Sequence, residues 1–253
     1  MGDHIIDQSV YETEWQQIGR HTWILKAHPD PTRVQPVIGV IITENHTVLV
    51  DAGNGPEHAQ VVLNWLEQQQ APPISHVIIT HHHWDHLFGM GAFDGLILCH
   101  EQGYEHLKRL SGVPWSEDYL KADMVKHPEK SAGHEAKLRV IQNWENVRLR
   151  MPDITFNGHM FLHIDHLTLK LRAIGGRHAE DSISIHVVED DIVFVGDSFY
   201  PPPSSKRQPG ESFSMDVLQR LLDEEAKLYI HGHGKPWTRE RLASFMAQWH
   251  KKD

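Results

Sequence analysis

Cysteine is almost missing from this chain: Cys99 stands alone among 253 residues. No intrachain disulfide can form, and a thiolate-rich metal site is excluded. Cys99 closes the apolar run Leu96-Ile97-Leu98 and reads as a small buried hydrophobe rather than a nucleophile. Long apolar runs are also missing, since none approaches the roughly 20 residues needed to span a bilayer. The opening Met1-Gly2-Asp3-His4 lacks the basic-then-apolar pattern of a secretory signal. The expectation is a soluble, cytoplasmic protein with no membrane partner. Positive charge is scarce as well: 24 basic residues face 34 acidic ones, for a net charge of −10. Nucleic-acid binders usually carry an excess of Lys and Arg, so the balance argues against a nucleic-acid partner. A small-molecule substrate is the expected partner, and the oligomeric state stays open.

Histidine, by contrast, is abundant, with 22 in the chain. Their meaning depends on where they fall. Val37–Ile42 and Thr47–Val50 are β-branched runs that bracket Glu44-Asn45-His46, the pattern of a hairpin. Asp51-Ala52-Gly53-Asn54-Gly55-Pro56 breaks the second strand, and Val61, Val62, Trp65 and Leu66 then share one face of a helix over Glu57–Gln70. Pro72-Pro73 ends it, and His76–Thr80 reads as a buried strand. Residues from about 101 to 150 are polar and helical, with helices predicted over Glu101–Leu110, Ser116–Met124 and Glu135–Trp144. Strand patterns return at Leu167–Leu171, Ser182–Val188, Ile192–Val195 and Leu228–Ile230. Pro201-Pro202-Pro203-Ser204-Ser205 forms a rigid loop, and helices follow over Phe213–Leu222 and Arg239–His250. Strand-rich halves around a helical insert imply two packed sheets with helices outside, in one domain over 1–253.

The chemistry concentrates in His81-His82-His83-Trp84-Asp85-His86, which offers four ligands in six residues at the end of a strand. Imidazole and carboxylate together suit zinc and similar divalent ions. On extended chain His81 and His83 point the same way, while His82 and Trp84 face elsewhere. Asp85 and His86, where the chain turns, offer themselves to a second ion.

This segment resembles the H-x-H-x-D-H signature of the metallo-β-lactamase superfamily. Asp51-Ala52-Gly53, Gly175-Gly176-Arg177-His178 with Asp181-Ser182, Phe194-Val195-Gly196-Asp197 and Gly232-His233-Gly234 resemble that family's other elements, in its order. The resemblance implies an αββα sandwich with a helical insert at about 101–150. It implies two zinc ions, with iron or manganese as alternatives. His81, His83 and His178 would hold the first ion, Asp85, His86 and His233 the second, and Asp197 both. Asp51 would hydrogen-bond backbone or a ligand histidine. Where the family usually has Gly-His-Thr, this chain has Arg177-His178-Ala179. Arg177 then reaches either an anionic substrate group or solvent, and His231 competes with His233. The resemblance extends to lactonases, in which a tyrosine placed like Tyr200 polarises the substrate carbonyl; packing beside Pro201 is the other reading. Trp115 and Trp144 line a pocket or belong to the core. His76, His82, His100, His159, His163, His166 and His186 have no slot in the pattern.

The function implied is a dinuclear hydrolase of esters, lactones or thioesters, working through a metal-bridging hydroxide with Asp85 moving the proton. A β-lactamase-like amide hydrolase and a mononuclear or di-iron oxidoreductase of the same fold stay open. So does a metal-binding protein without catalysis.

Overall fold

The structure is a computed structural model that describes residues 11–203 and 207–249. Met1–His4, Ser204 and Ser205 of the proline loop, and His250 lie outside the described residues. Short β-branched runs form two sheets. The first holds β1 (Trp15–Gln17), β2 (Thr22–Leu25), β3 (Ile38–Ile42), β4 (Thr47–Val50), β5 (Ile74–Ile78), β6 (Leu96–His100) and β7 (Ile154–Phe156), in chain order. The second is built from β8 (His159–Ile164), β9 (Leu167–Ala173), β10 (Ile183–Val187), β11 (Ile192–Gly196), β12 (Leu228–His231) and β13 (Trp237–Thr238), also laid down in sequence. β1 to β4 pair antiparallel, whereas β4 to β7 run parallel. In the second sheet β11 and β12 are the parallel pair.

Parallel neighbours need crossovers, and helices supply them. Helix α1 (Pro56–Gln68) joins β4 to β5, with Pro56 in its first turn, and the single turn α2 (Trp84–Leu87) lies between β5 and β6. Three helices, α3 (Glu101–Ser111), α4 (Glu117–Lys126) and α5 (Ser131–Val140), separate β6 from β7. Helix α6 (Met215–Leu222) crosses from β11 to β12, and α7 (Arg239–Trp249) follows β13.

The αββα layering is visible in how each strand divides its side chains. Between the sheets, Ile41, Val48, Ile78 and Leu98 meet Leu169, Ile185, Ile192 and Phe194. On the far side of the first sheet Val40, Leu49, Val77 and Ile97 pack with Val62 and Leu66 of α1. On the far side of the second, Val193 and Val195 meet Val217, Leu218 and Leu221 of α6. Strands covered on both faces carry continuous apolar runs, as these do.

The structure departs from the sequence expectations at several element boundaries. The strand expected over His76–Thr80 ends at Ile78 and begins earlier, at Ile74. The helix expected over Glu135–Trp144 spans Ser131–Val140 instead, and Ile141 is extended. Buried Glu57 ends it: its Oε1 accepts from the backbone N–H groups of Gln142 and Asn143, at 3.2 and 2.6 Å, holding the chain off the helical path. Trp115 and Trp144 both pack against the core, Trp115 with its ring 4.9 Å from that of Phe88, and both also line a surface cavity of about 680 Å³. Lys137 of α5 sets its ammonium 4.8 Å above the Trp84 ring, so the insert touches the histidine segment. Cys99 is buried, and burial pushes its thiol up to about 12.

Gly39 of β3 shows how closely the sheets approach, because a Cβ there would lie 2.5 Å from the Phe194 ring. Gly39→Ala should therefore destabilise the fold by about 1–3 kcal/mol. The thermal midpoint would fall by several degrees, at about 2–4 °C per kcal/mol for a chain of this size. Phe194→Leu added to it should recover part of the loss. An unchanged midpoint for the single variant would show that the sheets part there without cost.

Candidate metal centre

The site forms where strands of both sheets end. Beyond β5 the chain does not continue as extended strand. It bends at His81 and His82 and enters α2 at Trp84. His81 and His83 thus converge through a bend, rather than through the strand alternation expected from sequence. His83 Nδ1 lies 3.1 Å from His81 Nε2 and 2.9 Å from Nε2 of His178, which arrives from the loop before β10. The turn of α2 places Asp85 and His86 beside them, both buried. His82 is sent the other way, and its Nδ1 donates to Asp181 Oδ1 at 2.7 Å.

Two ligand groups result. In each, His81, His83 and His178 or Asp85, His86, Asp197 and His233, one donor atom of every residue lies within 4.8 Å of the others. Asp197, at the end of β11, connects them. Its Oδ2 is 3.3 Å from His178 Nε2, 3.3 Å from His233 Nε2 and 3.7 Å from His86 Nε2. Gly232 makes this approach possible, because a Cβ there would fall 2.2 Å from Asp197 Oδ1. Of the two competing histidines, His233 reaches Asp85 Oδ2 at 3.1 Å, while His231 turns away and gives its Nε2–H to the Lys235 carbonyl at 3.0 Å.

Hydrogen-bond partners set the tautomers. The Pro201 carbonyl can only accept, so His178 Nδ1 donates to it and Nε2 is the atom turned to the cluster. Thr80 Oγ1 donates to Asp51 Oδ2 at 2.9 Å and therefore accepts from His81 Nδ1 at 3.0 Å, which bares His81 Nε2 as well. Asp51 Oδ2 also accepts from His86 Nδ1 at 2.7 Å, while its Oδ1 takes the Thr80 backbone N–H at 2.7 Å. Asp51 thus does both things expected of it, from a left-handed backbone (φ 66°) that turns the carboxylate into the cluster. A carboxylate behind a metal-binding imidazole aims the other ring nitrogen at the metal. Thr80 gave no sequence signal beyond its place beside the histidines.

The charge balance calls for cations. Burial, and then neighbouring imidazoles, push His81 and His83 well below the usual histidine range, leaving them neutral. Burial opposes charge on His86 too, but Asp51, Asp85 and Asp197 outweigh it and hold its imidazolium well above that range. His233 is pushed up to about 10, mainly by Asp197 working against burial. Asp85 is held down to about 2 despite burial, by His86 and His233. Two buried atoms of the group, His86 Nε2 and Asp197 Oδ1, have no hydrogen-bond partner. Orphaned buried atoms of this kind, beside converging lone pairs, fit divalent ions.

Tyr200 is half-buried, its ring 6.2 Å from that of His178 and 6.4 Å from that of His233. Since His231 Nε2 carries the proton, Nδ1 must accept, and the Tyr200 hydroxyl donates to it. The hydroxyl proton considered above for an oxyanion is therefore engaged elsewhere, and burial raises the phenol above its ordinary value. Arg177 is exposed and lies 3.5 Å from Glu211. His100 caps α3 by accepting from the Gln102 backbone N–H, and His159, His163 and His166 are exposed.

A family profile described as Metallo-beta-lactamase superfamily matches residues 31–233. Among solved structures, the chain is similar to a metallo-beta-lactamase from Pontibacter korlensis, at 18% identity over 94% of this chain and 98% of that one, TM-score 0.61. It is similar to another from Hirschia baltica, at 18% identity over 92% and 96% of the two chains, TM-score 0.60. At such identities the likeness is one of fold. A curated relative, Ribonuclease Z from a Picosynechococcus species, is 36% identical over 96 residues, which is 36% of this chain but only 28% of that protein's length. The acidic balance therefore does not exclude a nucleic-acid substrate. Among the described residues no helix is long and apolar enough to cross a membrane.

Two measurements test this geometry. At pH 7–8, His86 and His233 of the metal-free protein hold protons that a cation must displace, so loading should release about two protons per chain. Apparent affinity should fall as pH drops, and the share of the release that comes from His233 should fade above about pH 10, where that ring is already neutral. Calorimetry in buffers of different ionisation enthalpy reads the number, and zero release would contradict the charge assignment. Tyr200→Phe should leave His231 Nδ1 without its donor and cost about 1–3 kcal/mol of stability. Turnover should fall less than about tenfold, against the hundredfold or more expected for a lost oxyanion donor. The larger loss at an unchanged thermal midpoint would place the hydroxyl on substrate.

Proposed function

Because this chain belongs to the metallo-beta-lactamase superfamily, we propose that it is a dinuclear metal-dependent hydrolase. His81, His83 and His178 hold one ion, Asp85, His86 and His233 hold the other, and Asp197 serves both. The observation that carries this reading is the position of Asp197 Oδ2, 3.3 Å from a histidine nitrogen of each group. The donor set favours zinc, with iron or manganese as alternatives. When bound, two such ions polarise the scissile bond and supply a water-derived nucleophile near neutral pH.

The protein's own groups do the rest. Asp51 orients His86, and Thr80 and the Pro201 carbonyl orient His81 and His178. Asp85, held ionised beside His233, would accept the proton that the attacking water gives up. Tyr200 is a positioning residue that acts through His231 on the turn carrying His233. A cavity of about 1190 Å³ opens beside His233 and is lined by Lys26, His28, Gln35 and Lys235 among others. That volume admits an ester, lactone or thioester with room to spare, and of the metal-group residues His233 alone lines it. Residues 1–253 act as one domain that includes the helical insert at about 101–150. The relative named Ribonuclease Z favours a second reading, phosphodiester hydrolysis by the same centre.

After zinc loading and dialysis, the protein should retain about two tightly held ions per chain, and Asp197→Ala about one. A turnover screen over lactones, thioesters, β-lactams and phosphodiesters then separates the substrate classes. One tightly held ion with full turnover would sink the dinuclear reading.

A further inference from the structure

A second constellation lies beside the centre and takes no part in it. His82 from the bend, His106 from α3 and Asp181 from the loop before β10 each bring one donor atom within 4.8 Å of the others. The rings of His82 and His106 stack with centroids 3.6 Å apart and planes 4° apart. Asp181 is buried, and the side chains of His82 and His106 are only 11% and 17% exposed. We infer that His82, His106 and Asp181 form a third, weaker site for a divalent cation such as zinc.

Two imidazolium rings in parallel contact would repel, so at least one ring is neutral and carries a lone pair. The partners of His106 show where that lone pair is. Arg109 can only donate, and its Nη2 lies 2.6 Å from His106 Nδ1. Nδ1 therefore accepts, and Nε2–H donates to Glu180 Oε1 at 2.7 Å. His106 is thus a neutral imidazole that already faces a cation, the guanidinium of an exposed arginine. Two imidazoles and a carboxylate make a donor set suited to zinc. Ligand atoms sharing one tetrahedral zinc ion lie roughly 3.3 Å apart, so the three donors must draw together and the stacked rings must tilt out of parallel to aim both lone pairs at one ion. As the ion binds, the proton on His82 Nδ1 moves to Nε2 or to solvent.

Arg109 competes whichever nitrogen of His106 takes the ion. At Nδ1 the ion displaces the guanidinium directly, and Nε2–H···Glu180 becomes the carboxylate pairing that orients metal-bound histidines. At Nε2 the ring proton must move to Nδ1, which can then no longer accept from Arg109. A filled site would tie the bend between His81 and His83 to the loop that follows His178.

The test is a zinc titration of the zinc-loaded, dialysed protein, followed by calorimetry and by metal analysis. Wild type should take up one further ion per chain. His106→Ala should take up one fewer than wild type while keeping the tightly held metal. Arg109→Ala should bind the extra ion roughly three- to tenfold more tightly, because a charge-assisted hydrogen bond no longer competes. The site is refuted if wild type takes up no further ion, if His106→Ala matches wild type, or if Arg109→Ala leaves the affinity unchanged. Should His106→Ala fail to fold, Arg109→Ala decides alone, since it removes only an exposed side chain. The difference between variants does not depend on how many ions the main centre holds.

Discussion

Three carboxylates share one buried corner of this fold, and the rest of the site is arranged around their charge. Asp51, Asp85 and Asp197 are all nearly inaccessible, and a cluster of anions cannot stay ionised in such a place without cations. Without metal, the compensation comes from protons on His86 and His233. Those protons sit where an ion would be bound, so proton and metal are alternative occupants of the same electrostatic well. Asp51 is fixed on one side by Thr80 and faces His86 on the other, which ties the well to the backbone after β4 and β5.

The architecture explains why these groups meet. Asp51 follows β4, the histidine segment follows β5, Asp197 follows β11 and His233 follows β12. All four strands belong to parallel pairs, and the carboxyl ends of parallel strands are where such folds gather their functional loops. The apolar layer between the sheets holds the two sets of strand ends at a fixed separation, with Gly39 against Phe194 as a point of close approach. Gly232 does the same at the site, where any side chain would strike Asp197. Packing and chemistry are therefore constrained by the same small residues.

Much of this was legible in the sequence, for identifiable reasons. The segment His81–His86 follows a buried strand and holds more ligands than a solvated loop needs. The β-branched runs at Val37–Ile42 and Ile192–Val195 could hardly be anything but covered strands. What sequence did not carry was set by tertiary contact. β1 and β13 span three and two residues, too short for a period to show. The bend at His81 replaced the extended chain expected beyond the strand, and Glu57 ended α5 from across the fold. The Tyr200 proton goes to His231 because Lys235 has already fixed that ring's tautomer. His82 had no slot in the family pattern, and its partners lie 24 and 99 positions further along, beyond any local spacing rule.

A dinuclear centre requires Asp197 to hold two ions at once, and zinc-edge X-ray absorption tests that most directly. The zinc-loaded protein should show metal–metal scattering at roughly 3.5–4 Å, the separation expected of a two-metal hydrolytic site. Asp197→Ala should abolish that signal while histidine scattering from the His81, His83 and His178 group persists. A wild-type spectrum with zinc in both groups and no metal–metal component would contradict the shared-carboxylate centre.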